Sequence, residues 1–232
     1  MDQWVLAAIV LLAGALRFYG LDIQSFWIDE LASVVLSKES IFQILRNHLE
    51  TNPPAYYAIL HFVQEYLGNG EWALRLPSAI AGVLAVPSIY LLGRRLYSEQ
   101  EGLFAALFTA VFWCPIYYSQ EARAYSLLLL FSILTAYFWW GILVKLRARE
   151  RVSALEAAGY VVSAIVCSYL HYYGAYLVAL QGAALIVLAR KAIPRVLLLY
   201  LPVVVAYLLW LPTVVAQFRT EVFGSNRHNH RH

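Results

Sequence analysis

Long apolar runs that are nearly free of charge constrain this 232-residue chain more than any other feature of its sequence. Seven runs stand out, at residues 4–19, 72–93, 102–118, 122–144, 154–170, 172–189 and 196–216. About 20 apolar residues cross a bilayer as a helix, and only helices or closed barrels satisfy the backbone in lipid. Because no alternating strand pattern is present, the runs predict an all-α polytopic membrane protein with about seven transmembrane helices.

Composition supports the same class. The chain is 62% hydrophobic and 13% charged, whereas a soluble domain has about half its residues apolar and about a quarter charged. The net charge of +3 is ordinary for a membrane protein and gives no argument for nucleic-acid binding. Cys114 and Cys167 lie inside apolar runs at a spacing that fits no metal motif, so we interpret them as packing residues.

The first run has a second interpretation, as a signal peptide with residues 13–15, Ala-Gly-Ala, as its cleavage site. Its head carries Asp2 and no basic residue, unlike the positive head of a signal peptide. We therefore interpret the run as a membrane span.

The basic residues predict the sidedness of the spans. They cluster in three short connections, at residues 94–95, 145–151 and 190–195, which the positive-inside rule places in the cytoplasm. This arrangement predicts a cytoplasmic N-terminus, an outer C-terminus and an outer loop over residues 20–71. Residues 53–67, at about 22 Å, then form a re-entrant or interfacial helix rather than a span. Residues 154–189, at about 54 Å, form either two spans with a tight turn near His171 or one over-long tilted helix.

The outer loop carries helix signals of its own. Ser40 and Gln43 form a capping-box pattern, which predicts an amphipathic helix on the outer membrane surface. Its apolar face comprises Ile41, Phe42, Leu45 and Leu49, opposite Gln43, Arg46, Asn47 and Glu50. Asn52 and Pro53 are predicted to cap and begin the short helix that follows. Residues 1–218 form one transmembrane module, and the polar segment 219–232 has the composition of a tag or a flexible end.

The predicted topology brings the unusual polar residues to one outer face. Its carboxylates are Asp29 and Glu30, within FWIDELASVV, and Glu121, within YYSQEARAY. The candidate substrate-binding residues on this face are Arg17, Asn52, Arg75, Arg123 and His171. Three of these residues have an ordinary alternative: Arg17 and Arg75 could extend their charged ends to the lipid headgroups, and His171 could be a hydrogen-bonded turn residue.

Carboxylates beside arginines at a lipid boundary suit an anionic lipid-linked substrate. The lipid tail would lie in the bilayer, the phosphate on an arginine and the head group at the carboxylates. A carboxylate can then deprotonate an acceptor hydroxyl while an arginine stabilises the departing phosphate.

The sequence resembles the C-type membrane glycosyltransferases, most closely the protein O-mannosyltransferase and aminoarabinose-transferase superfamily. The stretches that carry the resemblance are LRFYGLDIQSFWIDELASV, TNPPAYYAILHF, EWALRLPSAIAGVLAVPSIYLLGRRLYS, GLFAALFTAVFWCPIYYSQEARAYSLLLL and SYLHYYGAYLVALQ. The resemblance implies a sugar donor on polyprenyl or dolichyl phosphate, used on the extracytoplasmic face with inversion. It also implies that Asp29 is the catalytic base and Glu121 the second acidic residue, with Arg75 as the matching arginine. Glu30 would orient an arginine or a metal.

Two questions stay open at this point. Some members of the superfamily hold a divalent metal near these carboxylates and others do not, so Asp29, Glu30 and Glu121 are metal ligands only if a metal is present. Members usually continue with further spans, so this chain is either a fragment or a minimal version.

The alternative functions are a non-catalytic module that binds lipid-phosphate sugars, a partner subunit or a scramblase. A transporter fits less well, because the centres of the spans lack paired charges.

Overall fold

A computed structural model describes residues 2–46 and 52–228, with side chains described for residues 3–46 and 52–217. Every regular element in these residues is helical and none is a strand, which confirms the predicted all-α class. The helices that contain the predicted apolar runs are α1 (Asp2–Phe18), α5 (Glu71–Leu96), α6 (Glu99–Val111), α7 (Trp113–Ser119), α8 (Tyr125–Arg147), α9 (Ala154–Leu170), α10 (Tyr172–Leu188) and α11 (Ile193–His228).

Length and hydropathy identify the helices that can cross a bilayer. Helices α5 and α8 and residues 190–217 are each long and apolar enough, and α6 with α7 forms a fourth candidate span bent by 57°. Helices α1, α9 and α10 are apolar but shorter. The polytopic class is therefore supported, while the total of seven crossings stays a prediction.

The described part of residues 20–71, the predicted outer loop, contains three short helices, α2 (Ile28–Leu36), α3 (Ile41–Arg46) and α4 (Ala55–Leu67). The predicted capping box is present, because the Ser40 amide and hydroxyl both donate to Gln43 Oε1, at 3.0 and 2.5 Å. Leu49, Asn47 and Glu50, which complete the predicted amphipathic faces, lie outside the described residues. The interpretation of segment 219–232 as a tag or a flexible end also stays a prediction.

The short helix α4 begins slightly later than predicted, with Pro54 rather than Asn52 as its N-cap. Its 13 residues are about 20 Å long, less than the hydrocarbon thickness. Tyr56, Tyr57 and Leu60 are buried on its inner face. The Tyr56 hydroxyl lies 2.9 Å from Ser78 Oγ on α5, which ties α4 to the bundle.

Helices α9 and α10 form an antiparallel hairpin around His171, whose extended backbone has φ −162° and ψ 148°. The Tyr160 hydroxyl donates to Gln181 Oε1 at 3.1 Å, joining positions about equally far from the turn. Gln181 Nε2 also donates to Thr135 Oγ1 on α8 at 3.2 Å. This geometry excludes one over-long helix and confirms the tight turn.

The break between α6 and α7 follows from Pro115, which has no N–H for the Val111 carbonyl one turn earlier. The predicted single run over 102–118 is therefore two helices. Arg17, fully buried on α1, donates to Thr109 O at 2.8 Å and to Ala110 O at 3.0 Å. These bonds supply donors to carbonyls in the last turn of α6, where the helix cannot continue.

A second charged cluster lies at the far end of α5 from Arg75. Arg95 Nη2 lies 3.1 Å from Glu156 Oε1, Lys145 also pairs with Glu156, and Arg95 Nη1 donates to Tyr137 O at 3.1 Å. The two ends of the bundle thus carry different polar clusters, as the sequence predicts. Which end faces the cytoplasm stays a prediction.

Close packing of α5 against α6 generates a test of the fold. A Cβ on Gly102 would lie 2.7 Å from Tyr90 O, closer than real Cβ contacts, so Gly102→Ala must push the helices apart. We expect a loss of about 1–3 kcal/mol in stability, measured as a lower midpoint of thermal unfolding in detergent. Gly14→Ala is the matched control, because nothing lies within 4 Å of its added methyl group. If the two variants unfold at the same temperature, the close contact is wrong.

Candidate active site

A buried ion pair between Glu30 and Arg75 forms the centre of the candidate site. Arg75 Nε donates to Glu30 Oε1 and Nη2 donates to Oε2, both at 2.8 Å. Glu30 is 0% exposed and Arg75 is 4% exposed. The pair is therefore a bidentate contact between two planar groups, which is the strongest form of side-chain ion pair.

Backbone donors complete the surroundings of the Glu30 carboxylate. The Ala122 amide donates to Oε1 at 2.7 Å, and the Trp27 amide donates to Oε2 at 3.3 Å. With the two bonds from Arg75, each oxygen accepts two hydrogen bonds, which is the full capacity of a carboxylate. Glu30 therefore holds α2 against α5 and against the turn after α7, and its geometry fits the orienting role toward an arginine.

Arg75 is equally saturated. Its Nη1 donates to Leu21 O at 2.7 Å and to Gln24 O at 2.8 Å, and its Nη2 donates to Ser25 O at 3.5 Å. All five N–H groups thus have protein acceptors. A donor phosphate could bind Arg75 only by displacing these bonds, so this geometry does not support the predicted phosphate contact.

Arg17 has a structural position as well. Its Nη atoms donate to carbonyls of α1 and α6, and its buried Nε has no hydrogen-bond partner among the described residues. Because Arg17 and Arg75 are both buried, neither extends to the lipid headgroups. The snorkelling alternative is therefore wrong for both arginines, and direct substrate binding by Arg17 is not supported.

Glu121 lies in the turn between α7 and α8, and it is only 5% exposed. Its Oε2 atom is buried and has no hydrogen-bond partner within the described part of the chain. Burial raises the pKa of this carboxyl and the negative charge of Glu30 raises it further, whereas the nearby Tyr117 hydroxyl lowers it. The environment therefore favours the protonated form of Glu121.

Asp29 differs from both glutamates because its carboxylate is half-buried and makes no hydrogen bond to a described residue. Its backbone oxygen accepts bonds from Ser33 Oγ at 3.0 Å and from Arg123 Nη1 at 3.1 Å. The first turn of α2 thus fixes the position of Asp29 while its side-chain oxygens stay available. Of the three predicted carboxylates, Asp29 is best placed to accept a proton from a substrate.

Arg123 lies beside Asp29 and has no carboxylate partner within 4.0 Å among the described residues. It is half-buried, its Nη1 also donates to Ser33 Oγ at 3.0 Å, and its charge lies 5.8 Å from the centre of the Tyr125 ring. A partly desolvated cation without a counter-ion is a favourable position for an anionic ligand.

Arg123 lines a narrow cleft that also brings together the remaining predicted residues. The lining comprises Ser33, Asn52, Pro53, Tyr56, Tyr57, Arg123, Ala124, Tyr125, Leu170 and His171. Its volume is about 10 Å³, enough for about one water molecule. A sugar phosphate can therefore enter only if the walls move apart.

His171 is a hydrogen-bonded turn residue that also lines the cleft, while its substrate-binding role stays a prediction. Its Nδ1 accepts the Tyr173 amide at 3.2 Å and so caps α10, while its ring lines the cleft. Burial lowers the pKa of His171, and the charge of Arg123 lowers it further. Because Nδ1 is an acceptor, the neutral ring carries its proton on Nε2, which can donate to a ligand.

Sequence reasoning missed Tyr57, Tyr125 and Ser33 as parts of this cleft. The two tyrosines flank quoted motifs, PPAYY and EARAY, but tyrosine at a membrane boundary is usually an interface anchor. Ser33 follows Asp29 by one helical turn, so its spacing on α2 was the available signal.

The residues present do not fit a metal site built on the three predicted carboxylates. Both Glu30 oxygens are fully used by N–H donors, and the described residues contain no cluster of three His, Cys, Asp or Glu side chains suited to a metal ion. We therefore derive no catalytic step through a metal.

The raised pKa of Glu121 predicts a pH-dependent stability. Between the ordinary carboxyl value of about 4.3 and the raised folded-state value, the folded chain binds more protons than the unfolded chain. Stability is therefore lost as pH rises through this window. Glu121→Gln cannot ionise, so its unfolding temperature should gain on the parent as pH rises from about 4 to 8.

Thermal unfolding in a neutral detergent measures this difference, with Glu39→Gln at an exposed carboxylate as the control. A constant difference between parent and Glu121→Gln across the pH range would contradict the raised pKa.

Comparison of the sequence with known protein families identifies the family of this chain. Residues 51–216 match the family described as dolichyl-phosphate-mannose-protein mannosyltransferase, and this match covers more than half of the 232 residues. No curated protein and no solved structure gives a significant match. The chain belongs to the dolichyl-phosphate-mannose-protein mannosyltransferase family, in agreement with the resemblance of its sequence motifs.

Proposed function

We propose that this membrane glycosyltransferase transfers a sugar from polyprenyl or dolichyl phosphate to an acceptor hydroxyl, with inversion at the anomeric carbon. The observation that carries the proposal is Arg123, a half-buried cation without a carboxylate partner, held beside the available carboxylate of Asp29. The family supplies the general donor class. The arrangement of Arg123 and Asp29 supports a mechanism in which one side chain binds the donor phosphate and the other accepts a proton from the acceptor hydroxyl.

The donor phosphate binds at Arg123 in this proposal. Asn52 and His171 lie in the same cleft and can donate further hydrogen bonds, the latter through Nε2. Charge-assisted hydrogen bonds of this kind are worth about 1.5–3 kcal/mol each. The polyprenyl tail then extends into the bilayer, and the sugar lies toward Asp29.

Asp29 accepts the proton of the acceptor hydroxyl. The acceptor oxygen forms a bond to the anomeric carbon as the bond from that carbon to the phosphate oxygen breaks. The departing lipid phosphate keeps the electron pair, and Arg123 stabilises its added charge. A single displacement of this kind inverts the anomeric configuration, and it leaves one proton on Asp29.

Glu30 and Arg75 act as positioning residues. Their ion pair fixes the first turn of α2, which carries Asp29, and the Ala122 amide next to Arg123. A general base must lie within hydrogen-bond reach of the proton that it removes, so small displacements of this turn affect the rate. Glu121 lies buried beside Glu30, and burial raises the pKa of its carboxyl.

Two substitutions separate proton transfer from donor binding. Asp29→Asn removes the base and should lower sugar transfer by about 10²–10⁴-fold, while donor binding persists. Arg123→Ala should weaken binding of the lipid-phosphate sugar by about 1.5–3 kcal/mol, and Arg123→Lys should restore only part because it lacks the planar guanidinium. Both quantities are measured on purified protein, by a transfer assay and by donor titration.

Asp22→Asn, at an exposed carboxylate of the same loop, is the matched control and should leave both quantities unchanged. Robust transfer by Asp29→Asn would reject Asp29 as the base. Donor binding without any transfer by the parent would favour the alternative of a non-catalytic binding module, since that module needs Arg123 but no base.

The proposed site lies on the extracytoplasmic side of an integral membrane protein. The basic connections 94–95, 145–151 and 190–195 lie away from Asp29 and Arg123, and the positive-inside rule assigns them to the cytoplasm. A lipid-linked sugar presented on the outer leaflet would then reach the cleft directly.

Cysteine labelling tests this orientation after Cys114 and Cys167 are replaced by alanine. We expect Gln24→Cys, at an exposed position near the site, to react with an impermeant thiol reagent in intact cells. Ala148→Cys, exposed at the opposite end, should react only after permeabilisation. The reverse pattern would place the site in the cytoplasm.

A further inference from the structure

A groove lies between α8, α9 and α11, at the basic end of the bundle. Its volume is about 630 Å³, within the range of small-molecule sites. Most of its walls are apolar, including Ile142, Leu146, Val161, Leu199 and Pro202. This space is far larger than the cleft at Arg123 and lies at the other end of α8.

Two arginines line the edge of this groove. Arg151 lies in the connection between α8 and α9, and Arg195 lies in the first turn of α11. Both side chains are exposed, and neither makes an ion pair with a carboxylate among the described residues. Arg195 Nη1 makes one long contact, 3.4 Å from the Glu150 backbone oxygen. No acidic residue lines the groove.

The groove opens toward the lipid-facing surface rather than into the bundle core. Leu198 lines it and is 71% exposed, and Ala158 on the opposite wall is also exposed. Exposed leucines on an apolar helix face hydrocarbon in a membrane. A ligand can therefore enter sideways from the bilayer.

We propose that this groove binds one anionic phospholipid, with an acyl chain against the apolar walls and the phosphate on Arg151 and Arg195. Apolar walls that end in unpaired guanidinium groups match the two parts of such a lipid. A free phosphate would use only the arginines and leave the apolar volume unfilled. The site is separate from the proposed sugar transfer, because none of its lining residues belongs to the Arg123 cleft.

Binding of phosphatidylglycerol to the purified chain in neutral detergent tests the proposal. We expect it to bind at least tenfold more tightly than phosphatidylcholine, measured by lipid titration with native mass spectrometry and thermal unfolding. The double variant Arg151→Gln/Arg195→Gln should lose this preference. Ala157→Phe, which fills the groove from α9, should weaken binding of both lipids.

The matched control is Arg147→Gln/Arg190→Gln, which removes the same charge from the same end but outside the groove. This control should keep the preference, and glycerol phosphate alone should bind at least tenfold more weakly than the lipid.

Several outcomes would overturn the proposal. The parent could bind phosphatidylglycerol and phosphatidylcholine with equal affinity, which would reject the site. Equally weak binding of both lipids, as expected if another protein segment covers the groove, would reject it as well. An equal loss of the preference for phosphatidylglycerol in Arg151→Gln/Arg195→Gln and in the control Arg147→Gln/Arg190→Gln would show nonspecific attraction to the basic end of the bundle. Unchanged binding of phosphatidylglycerol by Arg151→Gln/Arg195→Gln or by Ala157→Phe would show that the lipid binds outside the groove.

Discussion

The bidentate ion pair between Glu30 and Arg75 is the interaction on which the site depends. Charges removed from water are costly unless they are paired and their remaining hydrogen-bonding groups are satisfied. Here the carboxylate accepts four hydrogen bonds and the guanidinium donates five. The groups involved lie in the segment between α1 and α2, in α2, on α5 and in the turn after α7. Loss of one partner would leave an uncompensated buried charge, at a cost of about 3–5 kcal/mol.

Counting hydrogen-bond donors distinguishes Arg75 and Arg17, which bind protein oxygens, from Arg123 at the cleft. Arg75 uses every N–H group on protein oxygens, and Arg17 satisfies carbonyls at the break between α6 and α7. Arg123 donates to the Asp29 backbone oxygen and to Ser33 Oγ, and it has no carboxylate partner within the described chain. Proximity to the predicted membrane surface therefore does not by itself distinguish these arginines, whereas the number of unused N–H donors does.

The apolar runs predicted the helices well, because lipid exposure and helix burial both leave long apolar segments in the sequence. The bend between α6 and α7 could also have been predicted, since Pro115 interrupts the run and removes a backbone donor. The different hydrogen-bonding surroundings of Arg75 and Arg123 could not have been predicted. They depend on where the carbonyls of Leu21, Gln24 and Ser25 point, and backbone carbonyls leave no trace in the identity of their residues.

Predicting the shared outer face had a similar limit. Asp29, Glu30 and Glu121 lie at the same end of the bundle in the structure, but sequence alone could not distinguish their surroundings. Glu30 is saturated, Glu121 has an unpartnered buried oxygen, and Asp29 has an available carboxylate. These three states arise from neighbours contributed by α5, α7 and the turn before α8.

The same hydrogen bonds indicate which wall of the cleft can move. The ion pair fixes α2 to α5, and Ser78 Oγ donates to Arg123 O at 2.9 Å, which fixes the turn before α8. Ser78 has only one hydroxyl proton, so the Tyr56 hydroxyl must donate in their 2.9 Å contact, and α4 is held to the same unit. The His171 ring accepts the Tyr173 amide, and its backbone oxygen accepts the Gly174 and Ala175 amides, all within its own turn. A cleft of about 10 Å³ must open to admit a sugar, and the α9–α10 turn is the wall that can move without breaking the network that positions Asp29.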